Sequence, residues 1–444
     1  MIALDRFFSR VDRAELIQVS GVVLRVVGLA VVASGPAVPV GDTCRIRLGD
    51  GSERLALVTG FREGEVILQP IGHLDGIRPG DVVLACHRPL DVPVGPGLIG
   101  RIVDGVGNPL DGKGPILGDA RRPTAGEPPS PLTRTPIERI IETGLRSIDT
   151  LFTIGFGQRM GIFAGSGVGK STLLGEMAKH ARADVNVIAL VGERGREVGE
   201  FITKVLGPEG MARSVVVVAT SDRPGIERLS AAYAATAIAE SFRDSGLDVL
   251  LMMDSVTRLC QAHREIGLAA GEPPVTRGYP PSAFAILPRL LERAGTGPYV
   301  PAAGKAGSIT AFYTVLIDGD DENDPVGDNV RAILDGHLFL SRRMAGQAIY
   351  PAIDPTLSVS RLLIDLVPPA DYKLALQARE LWSEYERVRD LVEVGAYRAG
   401  ADPRVDHAIA TFPRLTAFMR QDIGEVATRT ASLAGLAKAI GAGT

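Results

Sequence analysis

The residues best suited to chemistry begin at Ala164, in the run Ala164-Gly-Ser-Gly-Val-Gly-Lys-Ser-Thr172. It follows an apolar stretch and opens a helical one, Leu173 to Ala178. Small residues let successive backbone N–H groups wrap phosphate oxygens, and the helix N-terminus adds partial positive charge. The candidate phosphate cradle is therefore Gly165, Ser166, Gly167, Val168, Gly169, Lys170, Ser171 and Thr172. Lys170 is expected to reach the β and γ phosphates, and the Ser171 hydroxyl to bind Mg²⁺. The strict pattern begins with Gly where this chain has Ala164, which still permits a tight loop. Asp254 closes the apolar run from Val249 and would deliver a carboxylate to a Mg²⁺-bound water at the ligand edge of a parallel sheet. Glu193, in Val191-Gly-Glu-Arg-Gly-Arg-Glu197, follows another such run. A carboxylate there could orient or deprotonate the attacking water, and it reads equally well as part of a solvated charged loop.

Such a site needs a sheet whose strands end on one edge. Between about Gly155 and Leu363, buried-type runs beginning at Gly161, Val185, Ser214, Asp248 and Ser308 alternate with helical stretches. That alternation predicts an α/β domain with a largely parallel sheet. Ahead of it, residues 19–90 carry short β-rich runs punctuated by Gly and Pro, the pattern of a small barrel. A Gly/Pro-rich connector follows and is assigned with the α/β domain, residues 91–364. After Pro368-Pro369 the chain turns helical and charged, so residues 365–444 form a helical domain. Residues 1–18 place Leu4, Phe7, Phe8 and Val11 at helical spacing, an amphipathic segment that packs on its own protein or docks a partner.

Composition narrows the setting. A net charge of -4 lacks the basic excess of a dedicated nucleic-acid binder, so no nucleic-acid partner is expected. Cys44, Cys86 and Cys260 are scattered without CxxC pairing, which fits a reducing cytosol. The most apolar region, Val22 to Val40, is broken by Arg25, Pro36 and Pro39. It falls short of the roughly 20 uninterrupted apolar residues of a membrane helix.

Taken together, four segments make the chain recognisable: the P-loop from Phe163 to Ser171, Gly192-Glu-Arg-Gly-Arg-Glu197, Gly278-Tyr-Pro-Pro-Ser-Ala-Phe-Ala-Ile-Leu-Pro288 and Pro351-Ala-Ile-Asp-Pro-Thr-Leu-Ser-Val-Ser360. The chain resembles the catalytic subunits of rotary ATPases, and most closely the flagellum-specific ATPases of bacterial type III export. The resemblance implies a RecA-like P-loop ATPase core between an N-terminal β-barrel and a C-terminal helical domain, with ATP and Mg²⁺ as cofactors. It makes Glu193 the catalytic carboxylate and Arg194 a phosphate-contacting neighbour. Arg361 becomes an arginine finger inserted into an adjacent subunit's site, and Tyr350 the ring stacked on adenine, with Phe412 closing the other side. One chain that carries both the P-loop and the finger can complete every site in a ring of identical subunits, and the resemblance makes that ring a hexamer.

The resemblance further implies a negative regulator at the N-terminal helix, a coiled-coil stalk in the ring, and export chaperones and an export gate. The location implied is cytoplasmic, peripheral to the inner membrane. The flagellar assignment rests on Leu391-Val-Glu-Val-Gly-Ala-Tyr-Arg-Ala-Gly-Ala-Asp-Pro403, Ala311-Phe-Tyr-Thr314 and Gly319-Asp-Asp-Glu-Asn-Asp-Pro325. A non-flagellar type III ATPase is the alternative. An RNA-helicase ring of the transcription-terminator type is disfavoured because Phe61 is the only aromatic between Gly21 and Arg88. The joint presence of Glu193, Lys170 and Arg361 argues against a non-catalytic ring subunit. The segment Gly297 to Gly304 is longer than this pattern requires and has no assigned role.

Overall fold

The computed structural model describes residues 18–116, 118, 120–317 and 324–442. The amphipathic N-terminal segment and the acidic stretch 319–323 lie outside them. The described residues divide into two compact units, one reaching to Leu90 and joined by Glu265–Pro273, the other holding the rest.

The first unit is built on a closed antiparallel barrel. Its strands are β1 (Ser20–Val27), β2 (Ala30–Ala33), β3 (Asp42–Arg47), β4 (Glu53–Arg62), β5 (Glu65–Pro70) and β6 (Val82–Pro89), in the order β1-β2-β5-β4-β3-β6. Pairs two residues apart supply the lining: Cys44 and Ile46, Ala56 and Val58, Val66 and Leu68, Val83 and Ala85. That period of two puts every other side chain inside, and closure leaves no unpaired strand edge. Burial inside the barrel pushes the Cys44 thiol up to about 12, so it packs as a small apolar group.

The second unit holds a nine-stranded sheet. In chain order its strands are β7 (Ile102–Val103), β8 (Arg159–Ala164), β9 (Val185–Val191), β10 (Ser214–Ala219), β11 (Asp248–Asp254), β12 (Gly295–Val300), β13 (Lys305–Leu316), β14 (Gly336–Leu340) and β15 (Val359–Ser360). Across the sheet they run β15-β14-β8-β13-β11-β9-β10-β7, with β12 paired antiparallel to β13. All neighbours from β14 to β7 are parallel. The strands β9, β10 and β11 are buried along their whole length. Parallel strands need helices on both faces, which is why these runs are mostly apolar.

Alternate residues feed two separate cores. Ile188, Leu190, Leu250 and Met252 face one; Val187, Ala189, Leu251 and Met253 face the other. The second core is closed by the Ala-rich helix Gly225–Asp244, whose small side chains allow close approach to the sheet. The first core takes in Trp382, Leu415, Phe418 and Leu436 from the three C-terminal helices, Pro369–Glu393, Pro403–Met419 and Arg429–Ile440. The helical end of the chain thus shares a hydrophobic core with the face of the sheet that carries the P-loop helix.

The unassigned segment Gly297 to Gly304 folds as a hairpin. β12 returns through the short turn Pro301–Ala303 into β13, and Ala303 packs where a Cβ on Gly246 would sit, 2.2 Å away. Behind the helix Gly225–Asp244, Arg293 makes a bidentate pair with Glu240 at 2.8 and 2.7 Å and also donates to the Thr124 carbonyl at 2.7 Å. Both charged side chains are 1% exposed, so their mutual satisfaction is what makes their burial tolerable.

Candidate active site

The P-loop leaves β8 at Ala164 and enters the helix α1, Lys170–His180. Two of its glycines hold left-handed backbone, Gly167 at φ 78° and Gly169 at φ 88°, a conformation that costs other residues. A Cβ on Gly165 would also collide with the Arg342 guanidinium at 2.7 Å. These constraints turn the loop so that α1 opens at Lys170, with its free N–H groups at the mouth of the site.

Three charged groups converge there from three elements. Lys170 Nζ lies 2.5 Å from Asp254 Oδ1 and 3.7 Å from Glu193 Oε1. Asp254 ends β11 and Glu193 follows β9, adjacent parallel strands in the register Leu190 to Asp254. Thr314, one strand over on β13, donates its hydroxyl to Asp254 Oδ1 at 2.7 Å. Glu193 Oε1 is buried and has no hydrogen-bond partner among the described residues. Burial raises the Glu193 pKa to about 7, with the Asp254 charge adding to the rise and Lys170 opposing it. A carboxyl poised near neutrality beside a cation is suited to proton transfer from a bound water.

The sign of that shift is testable without turnover. A carboxyl whose folded pKa lies above its ordinary 4.5 favours the neutral form in the folded state. Its contribution to stability is intact below pH 4.5 and is lost as pH rises through about 7. The thermal stability of the nucleotide-free parent, measured against Glu193→Gln, should therefore fall as pH rises across that window. A difference that stays flat from pH 4.5 to 8 would return Glu193 to an ordinary carboxylate.

The donor set suits ATP with Mg²⁺. Ser171 is exposed at the head of α1, and Asp254 offers a carboxylate at the same mouth. Mg²⁺ is usually held by one or two protein oxygens together with substrate phosphates, so no larger acidic cage is needed. The described residues contain no group of three or more His, Cys, Asp or Glu placed around a metal.

Beside the P-loop lies a cavity of about 470 Å³ lined by Gly167, Gly169, Thr172, Tyr350, Pro351 and Ile423, among others. The Tyr350 ring stands 3.4 Å from where a Cβ on Gly169 would be. Its size and its apolar wall next to the phosphate loop fit a nucleobase. Phe412 does not line this cavity. It stacks on Tyr385 with ring centroids 3.5 Å apart and tilts against Trp382 at 4.8 Å, inside the packing of the C-terminal helices. Ile423, 75% exposed on the loop that follows, stands at the cavity instead. The anticipated place of Phe412 fails because helical aromatics find one another more readily than a solvent-facing pocket.

Arg194 is likewise outside the charged cluster. Its side chain is 77% exposed and pairs with Glu197 at 3.2 Å, one turn along the helix Gly195–Glu200. Arg258 is the guanidinium that acts on Glu193: its charge lowers the Glu193 pKa, and its stem fills the space a Cβ on Gly192 would take, 2.8 Å away. Its place early in the helix Val256–Ala269, just after the strand that ends at Asp254, was the available signal in the sequence.

Arg361 sits at the opposite end of the sheet from the P-loop. Its N–H bonds the Asp335 carbonyl, and Asp335 in turn bonds Arg159, the first residue of β8. The P-loop starts five residues further along β8, roughly 16 Å at strand rise. The Arg361 side chain is exposed and donates to the Arg331 carbonyl at 3.0 Å. A guanidinium so placed cannot serve its own phosphate site.

Comparison with known proteins places the whole chain. The nucleotide-binding domain of the ATP synthase alpha/beta family matches residues 144–360, and the β-barrel domain of that family matches residues 23–87. The C-terminal domain of the T3SS EscN ATPase matches residues 367–438. The flagellum-specific ATP synthase of Bacillus subtilis (strain 168) is 51% identical, with 95% of each chain covered. A type 3 secretion system ATPase from Xanthomonas euvesicatoria is 52% identical, covering 90% of this chain and 89% of that one. Among solved structures, the assembled ATPase EscN of the enteropathogenic E. coli type III secretion system aligns with a TM-score of 0.87 at 44% identity, over 95% of this chain and all of that one. EscN in complex with its central stalk EscO aligns at 0.85 and 42%. With barrel, nucleotide-binding and C-terminal domains all matched in order, this chain belongs to the ATP synthase alpha/beta family, among its flagellar and type III secretion ATPases.

Proposed function

We propose that the protein hydrolyses ATP in a homohexameric ring and thereby energises flagellar type III protein export. The observation that carries this reading is the division of one complete catalytic set between two ends of the same sheet. Lys170, Glu193 and Asp254 meet at the P-loop, while Arg361 is displayed on the far side. Only a neighbouring subunit can bring the two together.

In the proposed mechanism Lys170 leaves Asp254 for the β and γ phosphates, releasing that carboxylate. Ser171 and Asp254 would hold Mg²⁺, which would supply positive charge against that developing on the phosphates. Glu193 orients the attacking water and accepts its proton, for which its raised pKa is suited. Arg361 of the adjacent subunit stabilises the charge of the transferring phosphoryl group. Tyr350 and Ile423 hold the base, so binding energy far from the reacting bond fixes the orientation of the triphosphate.

A coiled-coil stalk in the ring is part of the proposal, supported by the EscN–EscO likeness. So are a regulator at the N-terminal helix, export chaperones and gate, and a cytoplasmic location at the inner membrane. No described helix is long and apolar enough to cross a membrane. The domain limits 19–90, 91–364 and 365–444 are retained as functional divisions, although the C-terminal helices share a core with the sheet.

Complementation separates the flagellar from the non-flagellar reading. Expressed in a flagellated bacterium that lacks its own export ATPase, the protein is expected to restore secretion of the flagellar filament protein. Restoration of effector secretion in an injectisome mutant, with none in the flagellar one, would reassign it to the second system.

A further inference from the structure

One wall of the base cavity is made by residues 421–423, in a segment that belongs to no helix or strand, and Glu176 of α1 lines the cavity beside it. Glu425 braces that segment from within, accepting from the Asp422 N–H at 3.2 Å and pairing with Arg146 at 2.8 Å, and two further side chains tie it to the rest of the fold. Gln421 pins its start: the backbone N–H bonds the Tyr350 carbonyl at 2.8 Å, the side-chain amide donates to the carbonyls of Gly144 and Glu425, and the side-chain oxygen accepts from Arg146 N–H. Three residues on, the Gly424 N–H donates to Glu176 Oε2 at 2.7 Å. Glu176 lies on α1, is 6% exposed, and also accepts from Lys179 at 3.1 Å, with His180 Nε2 at 3.6 Å. Between the two pins Asp422 and Ile423 are held at the cavity.

We propose that Glu176 is a positioning residue that latches the base-side wall to the phosphate-binding helix, so that the span from base to phosphate is set by one rigid element. The assignment rests on the reading of this cavity as the base site. A buried carboxylate that spends one oxygen on a single loop N–H makes a charge-assisted bond stronger than a neutral one. It anchors that loop to the same helix whose first turn takes the phosphates. Without the latch, the wall is still held at its ends by Gln421 and by the Arg146–Glu425 pair, but the turn at Ile423 and Gly424 loses its tie to α1.

The test is a comparison of two substitutions and two ligands on the full-length enzyme. Glu176→Ala is expected to raise KM for ATP roughly tenfold, the loss of one hydrogen bond to a charged group. kcat should change by less than about twofold, because the groups at the γ-phosphate are untouched. Glu176→Gln retains an acceptor for Gly424 N–H and should bring KM back close to the parent. Tripolyphosphate has no base, so its inhibition constant should be the same in all three proteins. In the parent, the Gly424 amide should exchange slowly with solvent.

An unchanged KM in Glu176→Ala, or tripolyphosphate weakened as much as ATP, would overturn the latch; so would a rapidly exchanging Gly424 amide in the parent. Tyr350→Ala distinguishes the two levels of the argument. If it raises KM while Glu176→Ala does not, only the latch falls. If neither does, the base-site reading falls with it.

Discussion

Glu193→Gln is expected to lower kcat for Mg-ATP hydrolysis by roughly 10³-fold while nucleotide binding persists. The substitution keeps the size and removes the proton acceptor. Lys170, Ser171 and the P-loop backbone, which carry the affinity, are left in place. Glu193 Oε1 has no hydrogen-bond partner among the described residues, so an amide of the same size breaks no hydrogen bond at that atom and the fold should hold. Equilibrium binding of a fluorescent ATP analogue, set beside steady-state hydrolysis, checks both halves of the expectation. A variant that retains most of its activity would remove Glu193 from the chemistry and leave its burial unexplained. A variant that loses binding as well would make it a structural part of the loop.

Arg361→Ala should be as severe, a loss of roughly 10³-fold or more, and it should be repaired by mixing. Each Arg361→Ala subunit still owns an intact Glu193, and each Glu193→Gln subunit still displays an intact Arg361. In rings assembled from equal amounts of both, about one interface in four joins an intact acceptor site to an intact finger. Hydrolysis should therefore reappear on mixing two nearly inactive proteins, up to about a quarter of the parent rate if sites act independently. If both stay inactive after subunit exchange has been verified by differently labelled chains, Arg361 does not act across an interface. Its bond to the Arg331 carbonyl would then mark it as a residue of its own subunit's edge. The geometry favours recovery, since Arg361 and the P-loop lie at opposite ends of β8.

The two substitutions test different kinds of knowledge. The position of Asp254 was legible because it ends a run of buried-type residues, and a parallel sheet places such positions on one edge, whereas spacing left Glu193 even with a solvated loop and only the family resemblance singled it out. The turn of the P-loop was legible because it depends on backbone, and backbone conformation is written in Gly167 and Gly169. The barrel was legible in short β-rich runs punctuated by Gly and Pro, and the sheet in apolar runs such as Val185–Val191 that alternate with helical stretches. The hairpin of Gly297 to Gly304 was not legible, since Gly and Pro at that density mark a turn without saying which strand it returns along.

What the sequence determined by itself is therefore the local and the repeated: which segments are strands, where the phosphate loop turns, and which carboxylates stand at strand ends. The tertiary structure alone decided what lies across from what. Thr314 reaches Asp254 from the next strand, Arg258 bears on Glu193 while Arg194 pairs with Glu197, and Ile423 rather than Phe412 stands at the base cavity. Glu176 on α1 bonds a glycine 248 residues away. The physical reason is that periodicity and turn chemistry act between near neighbours in the chain. The partners of a side chain are chosen by how whole elements pack, and one strand's register or one helix's rotation is enough to change them.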